Sequence, residues 1–477
     1  MNLPNVSLEI LGGKDMRLTN EGGNAYEHAL DHGVEFFSKA GSLFVGKESF
    51  YGNEESALSL FQKIWIVDKP LAMQLLLWLR DCRGGAGNRS AARECYKWVA
   101  EHDPKWLDAN MHWLPEVGRW DDLRALFGTE LEAVAVSIWC GSIASGDVLA
   151  AKWADRNDAP LRKHFGMKIG EFRRALAKVR SSHIVEHKMC HREWEGIEYP
   201  KVPSVAMSRY TNAFGKHDEA RFEEYKAALK DGKETIHADV LFPHDCIRTC
   251  LYGDREVAEA QFEALPNFME EADERVIVIS DTSGSMSISV SGSVQAVHIS
   301  QGMALYCSAK INKDSPFYKK FIGFCSEGSF KNWEGMSFSE AVRSRKIFDR
   351  AVGSTRIDKA LGLILETAKF FKLDQSYMPT TLLIVSDMQF HGGVRGSGTE
   401  VNKALDLWTK AGYEVPKIVY WNTAGYAGSP ETALSHNTAL VSGFSPAILK
   451  SIFAGSDLSP RGVMLKALEK YTINIPE

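Results

Sequence analysis

The apolar positions of this chain follow two rhythms, and the change falls near Arg275. From Ser56 to about Phe262 they recur at helical spacing almost throughout. Ala72–Leu79 reads as an apolar helix that stops at Arg83-Gly84-Gly85-Ala86-Gly87, and a second helix runs from Ser90 to Glu101. Pro104 opens a third and Pro115 interrupts. Asp121-Asp122 marks the amino end of a fourth, because acidic groups favour that end of the helix dipole. Further helices are predicted over 130–145, 148–154, 168–180, 225–229 and 246–252. Beyond Arg275, strands are predicted over 276–280, 321–325, 381–386, 416–421 and 438–441. They alternate with helices over 294–311, 356–371, 400–411, 446–453 and 460–471. Residues 1–50, broken by Gly12-Gly13 and Gly22-Gly23, read as irregular.

Many helices joined by short turns imply an all-α helical-repeat domain over 51–270, an α-solenoid or a ring of helix pairs. Strands and helices in alternation imply an α/β doubly wound domain over 271–477, a parallel sheet with helices on both faces. A chain of 477 residues also exceeds what one core usually organises. No apolar run approaches the ~18 residues that span a bilayer. The eight cysteines are scattered through apolar patterns, which suits reduced thiols. A cytoplasmic protein without a membrane partner is the expectation, and secretion is disfavoured.

Formal charge is −5, which carries no general nucleic-acid signature. The charge is unevenly spread. Lys152–Arg192 holds eleven Lys/Arg against four Asp/Glu, leaving the remainder strongly acidic. Within that stretch, Lys168, Arg173, Arg174, Lys178 and Arg180 fall on an amphipathic helix suited to tracking phosphates. The competing reading is a solvated helix face. Arg80, Arg83 and Arg89 surround the glycine turn, whose N–H groups can form an anion nest. A tight helix–helix corner needs the same small residues.

The sharpest chemistry lies where Val276-Ile277-Val278-Ile279 ends in Asp281-Thr282-Ser283-Gly284-Ser285. A buried parallel strand there delivers one carboxylate and two hydroxyls, two residues apart, at its carboxyl end. Oxygen donors of this kind suit a hard cation such as Mg²⁺, which keeps some of its waters. Gly353-Ser354-Thr355 opens a helical pattern, and Thr381–Ser386 is a second apolar run ending at Asp387. Asp281 as a phosphotransferase nucleophile is disfavoured, because Ser283 stands where that chemistry needs a second carboxylate. Gly41–Lys47 has phosphate-loop spacing, yet Glu48 replaces the hydroxyl that holds Mg²⁺. His187, Cys190 and His191, with His244, Cys246 and Cys250, lack compact zinc spacing and read as packed thiols with partly exposed histidines.

Asp281, Ser283, Ser285, Thr355 and Asp387, in that order, resemble the metal-ion-dependent adhesion site (MIDAS) of von Willebrand factor A (vWA) domains. The resemblance implies Mg²⁺ or another divalent cation on these five residues, with a sixth position open to water or to an acidic group of a protein partner. Further motifs join it. They are Arg80–Arg89, Gly118–Leu123, Ala151–Ala154, Val185–Cys190, Val202-Pro203-Ser204, Phe242–Asp245 and Ser386–Phe390. Together they resemble a little-studied family of plant, phage and large-virus proteins that joins a helical domain to a vWA domain. That architecture is in turn similar to the Ro ribonucleoproteins, in which a HEAT-like TROVE domain precedes a vWA domain. The likeness implies a non-enzymatic RNA-binding protein, its helical domain taking small non-coding or misfolded RNA and its vWA domain a protein through Mg²⁺. A metal-dependent protein-interaction scaffold without RNA is the alternative.

Overall fold

The computed structural model describes residues 16–45, 55–180, 184–270, 272, 275–291, 294–350, 352–392, 398–453 and 458–477. Its first stretch departs from the sequence reading, since residues 16–45 are ordered rather than irregular. Met16–Leu18 (β1) and Asn24–Tyr26 (β2) pair as an antiparallel ribbon, and the helix His32–Lys39 follows. Strands of three residues carry too little alternation to register as a pattern. Gly46, Lys47 and Glu48 of the phosphate-loop spacing lie outside the described residues. Gly41 has a packing role instead, because a Cβ there would stand 2.7 Å from the backbone nitrogen of Gly443.

The helical half begins with Ala57–Val67, Lys69–Arg80 and Arg89–His102, each packed on the next. Their amino ends are set by Ser56, Asp68 and Asn88, whose side chains accept backbone N–H groups left orphaned in the first turn. Pro104–Asn110, Trp113–Val117, Glu132–Ala144, Val148–Trp153, Ala159–His164 and Ile169–Arg180 continue the series. The fourth predicted helix is a 3₁₀ stretch, Trp120–Leu126. A smaller core, built on Tyr199, Met207, Phe214, Phe222 and Val257, gathers Val185–Cys190, Ser204–His217, Glu219–Lys230 and Arg255–Ala264. Helix Pro243–Tyr252 packs between Arg255–Ala264 and the α/β half.

After this half comes Val276–Asp281 (β3), buried at every residue because it lies inside the sheet. A short ribbon, Ser289–Ser291 (β4) with Val294–Gln295 (β5), precedes the helix Ala296–Lys310. Lys320–Phe324 (β6), Gly328–Asn332 (β7), Thr381–Ser386 (β8), Lys417–Asn422 (β9) and Thr438–Ser442 (β10) complete the strands. Among the described residues the main sheet has six strands in the order β10-β9-β8-β3-β6-β7. All pairs are parallel except β6 with β7. Strand β7 escapes sequence reading because it is a polar edge strand with four of its five residues partly or wholly exposed. The order reverses between β3 and β8, so the connections that follow them lead to opposite sides of the sheet, the position at which such sheets bind ligands.

The two halves share one core rather than meeting at a linker. Helix His32–Lys39 covers the edge strand β10, and helix Pro460–Leu468 packs on both it and Lys69–Arg80. The Trp113 indole N–H donates to the Thr472 carbonyl, and Asn110 brackets Asn474, so the last residues run along the helical half.

Candidate cation site

Of the five oxygen-bearing residues predicted from the sequence, Asp281, Ser283, Ser285 and Asp387 gather at the carboxyl ends of β3 and β8, and the Thr355 loop is tied beside them. Asp281 is the last residue of β3, and Asp387 follows the last residue of β8. Pairing of β3 with β8 in register, Ser280 opposite Val385, places the two carboxylates on adjacent strands, whose spacing is about 4.8 Å. The loop after β3 is fastened on two sides. Thr282 donates its N–H to the Phe324 carbonyl at 2.8 Å, and Gly284 donates to Gly353 at 3.0 Å. That second bond draws in the Thr355 loop. Gly353 has φ +76°, and a Cβ there would stand 2.5 Å from Ser326 Oγ, so only glycine lets the loop close.

Ser283 donates its N–H to Asp281 Oδ1 at 2.8 Å, and Ser386 donates its hydroxyl to Asp281 Oδ2 at 2.5 Å. The Ser283 and Ser285 hydroxyls lie 3.2 Å apart. Gln389 donates its N–H to Asp387 Oδ1 at 3.1 Å, and Ser285 also bonds to that carboxylate. Two oxygens are left over: Asp387 Oδ2 and Thr355 Oγ1 are buried without a hydrogen-bond partner. Asp281, Ser283, Thr355 and Asp387 are 0% exposed and Ser285 is 4% exposed.

Burial pushes both carboxyls well above the usual range, and the neighbouring charges add to it: Asp387 acts on Asp281, and Glu21 acts on Asp387. Buried oxygens with negative neighbours and unmet valence require a proton or a cation. The donor set is two carboxylates and three hydroxyls, all oxygen, which fits a hard divalent ion and not zinc or copper. Ser386, His391 and Glu21 are contacts that sequence reading missed. Ser386 and His391 flank Asp387, where proximity was a usable signal. Glu21 lies in the turn of the N-terminal ribbon and has no local signature.

The basic residues separate into two groups. Arg80 is 3% exposed, and its Nε donates to Asp122 Oδ2 at 2.7 Å, so it is a core ion pair and not a phosphate contact. The glycine turn is not an open nest either. Asp81 Oδ1 accepts the N–H groups of Arg83 (2.8 Å) and Gly84 (3.0 Å), while Gly85, Ala86 and Asn88 donate to backbone carbonyls. Arg83 donates to the Glu116 carbonyl from the surface, and Arg89 is exposed at the start of its helix. Arg180 is spent on the Ala151 and Ala154 carbonyls, closing the carboxyl end of Val148–Trp153. Lys168, Arg173, Arg174 and Lys178 are exposed on or beside helix Ile169–Arg180, with Arg173 bonded to Asn157. The apolar side of this helix rests on Phe172 and Leu176.

Two family models match parts of this chain. Residues 275–467 match a family described as a domain of unknown function (DUF7788), and residues 145–278 match a second one (DUF2828). The two matches meet where β3 begins. No TROVE or vWA family model matches. The chain is similar, with 24% identity over 527 aligned positions, to the uncharacterized protein L728 of Acanthamoeba polyphaga mimivirus, covering 96% of this chain and 88% of that one. The aligned region takes in both the helical and the α/β halves of this chain.

Proposed function

We propose that this protein is a binding protein, not an enzyme, whose α/β half is a vWA-type module carrying Mg²⁺ or another divalent cation on Asp281, Ser283, Ser285, Thr355 and Asp387. One observation carries the reading: Asp387 Oδ2 and Thr355 Oγ1 are buried and unpartnered beside a second buried carboxylate. The sheet order supports it, since the five residues gather where the strand order reverses. The ion's role is to present a positive centre that an acidic side chain of a protein partner completes. Capture of proteins by the wild-type chain in Mg²⁺ and in EDTA, alongside Asp387→Asn, tests this. A protein retained only by the wild type in Mg²⁺ supports the reading, and identical sets in all conditions overturn it.

The second reading is RNA binding by the helical half, as in the Ro-like architecture. The observation that favours it is the exposure of Lys168, Arg173, Arg174 and Lys178 on one basic segment. Such a face binds phosphates without reading bases, and its affinity falls steeply with salt. Replacing Arg173, Arg174 and Lys178 together by Glu lowers affinity for single-stranded RNA and flattens the salt slope. Absence of RNA binding by the unmutated protein at low salt overturns this reading and leaves the scaffold.

A further inference from the structure

Helix Glu132–Ala144 shows water a face without charge. After Glu132 it carries no charged residue on any side. Surface helices ordinarily turn charged side chains to solvent. Here Val134 and Ile138, one turn apart, are 39% and 37% exposed, and Ser137, Gly141 and Ala144 continue the same exposed face. A Cβ on Gly141 would meet nothing within 4 Å, so the space beside the helix is open. Contiguous exposed apolar surface of this kind marks a place where another molecule binds.

At its carboxyl end the face runs into a groove of about 540 Å³. Helices Glu132–Ala144 and Ile169–Arg180 both pack on Val148–Trp153, and the groove lies between them. Ile143 and Ala144 line it from the first helix, and Leu176 and Val179 from the second. Phe165 and Met167 line it from the turn that precedes the second helix. Clefts that take ligands are commonly about 300–1,000 Å³ and mostly apolar, as this one is.

The edge of the groove is basic. Lys178 is the one charged residue of its lining, and Arg174, a turn earlier on the same helix, is exposed. Lys168 and Arg173 are exposed on or beside that helix as well. Its one acidic residue, Glu171, is engaged in capping, with Oε2 accepting the Lys168 N–H at 2.8 Å. An apolar floor beside a positive edge complements a helix that carries apolar side chains on one side and carboxylates on the other. Nucleic acid suits it less well. With Lys178 the only side chain of the lining able to hydrogen-bond, base edges buried there lose water and gain no partners.

We propose that this groove and the adjoining face of Glu132–Ala144 dock an acidic amphipathic helix of a partner protein. Its apolar side chains seat between the two helices, and its carboxylates lie against Arg174 and Lys178. The site is independent of the cation cluster in the α/β half, and it gives the basic helix a protein ligand in place of RNA.

Fluorescence anisotropy of the full chain with labelled peptides of about 16 residues, roughly four helical turns, tests this. One peptide has Leu at positions i, i+3, i+4 and i+7 with Glu elsewhere, and a second has Lys in place of Glu. The Leu/Glu peptide binds, and the Leu/Lys peptide binds at least about tenfold more weakly. Ala144→Gln puts a polar side chain on the groove wall, and Arg174→Glu reverses a charge at its edge. Both positions are exposed, so both variants keep the wild-type melting temperature within a few degrees. Each lowers affinity for the Leu/Glu peptide by about fivefold or more. No binding of that peptide by the wild type, equal binding of the two peptides, or wild-type affinity in either variant overturns the proposal. Oligouridylate that binds more tightly than the Leu/Glu peptide, and equally well to Ala144→Gln, assigns the basic helix to RNA and overturns it too.

Discussion

Asp81 and Asp387 are both buried carboxylates at the end of a regular element, and their surroundings push them in opposite directions. Asp81 closes helix Lys69–Arg80. Its Oδ1 accepts two backbone N–H groups, and its Oδ2 accepts Lys470 Nζ at 2.7 Å and the Tyr471 hydroxyl at 2.8 Å. Burial alone raises its pKa, but the Lys470 charge and these bonds hold it below the ordinary value. Nearby, Asp122 is equally engaged, accepting Arg80 Nε at 2.7 Å, Arg93 Nε at 2.6 Å and the Arg119 N–H at 2.8 Å. Asp387 closes β8 with one oxygen unpartnered and negative neighbours, and its pKa is raised. The lesson is that burial of charge does not by itself separate structure from function. Both oxygens of Asp81 and of Asp122 are partnered within the protein, and Asp387 Oδ2 is not.

The largest effect follows from breaking the partnered set around Asp122. Arg80→Ala leaves Asp122 buried without that partner and costs about 3–5 kcal/mol, read as a lowered urea midpoint. Asp387→Asn in metal-free protein removes a charge that has no cationic partner, so the same measurement shifts by less than about 1 kcal/mol. Comparable losses in the two variants erase the distinction.

Ligand removal comes next. Mg²⁺ at a hundred times its dissociation constant stabilises the wild type by about 2.7 kcal/mol, because it binds the folded form alone. EDTA reverses the gain. The effect is absent in Asp387→Asn and intact in variants of the glycine turn that still fold.

A smaller effect concerns acid. The folded pKa of Asp81 lies below its unfolded value of about 3.9, so its contribution is fully present above that pH. It is lost as pH falls through the folded pKa. Urea midpoints measured from pH 6 down to pH 2.5 fall less steeply for Asp81→Asn than for the wild type. An unchanged acid slope means that Lys470 and the N–H groups do not hold the carboxylate as described.

The smallest effect is on the surface. Reversing Arg173, Arg174 and Lys178 to Glu changes stability by no more than about 0.5 kcal/mol per site, since these side chains are exposed. A loss of several kcal/mol places them in the structural class with Arg80.

The contrast explains what the sequence could and could not reveal. Strand β3 and the oxygen-bearing residues at its end were legible because a β-branched run and the Asp281–Ser285 spacing are local, and the second strand repeats the pattern before Asp387. Ranges for β6, β8, β9 and β10 came within about a residue for the same reason. The fate of Arg80 was not legible. A glycine turn rich in arginine has the same composition whether its N–H groups face solvent or are filled by Asp81, and the partners Asp122 and Lys470 are distant in sequence. Glu21 was hidden in the same way. Its glycine-flanked turn looks like irregular chain until the ribbon is set against Phe390 and His391. Contacts of that kind depend on which segments the fold brings together, and local periodicity carries no record of them.

The most direct test of the central claim is calorimetric titration of EDTA-stripped, folded wild-type protein and of Asp387→Asn with MgCl₂. The account predicts one site per chain in the wild type and at least a hundredfold weaker binding in the variant. No heat of binding in the wild type, or equal affinity in both proteins, contradicts it.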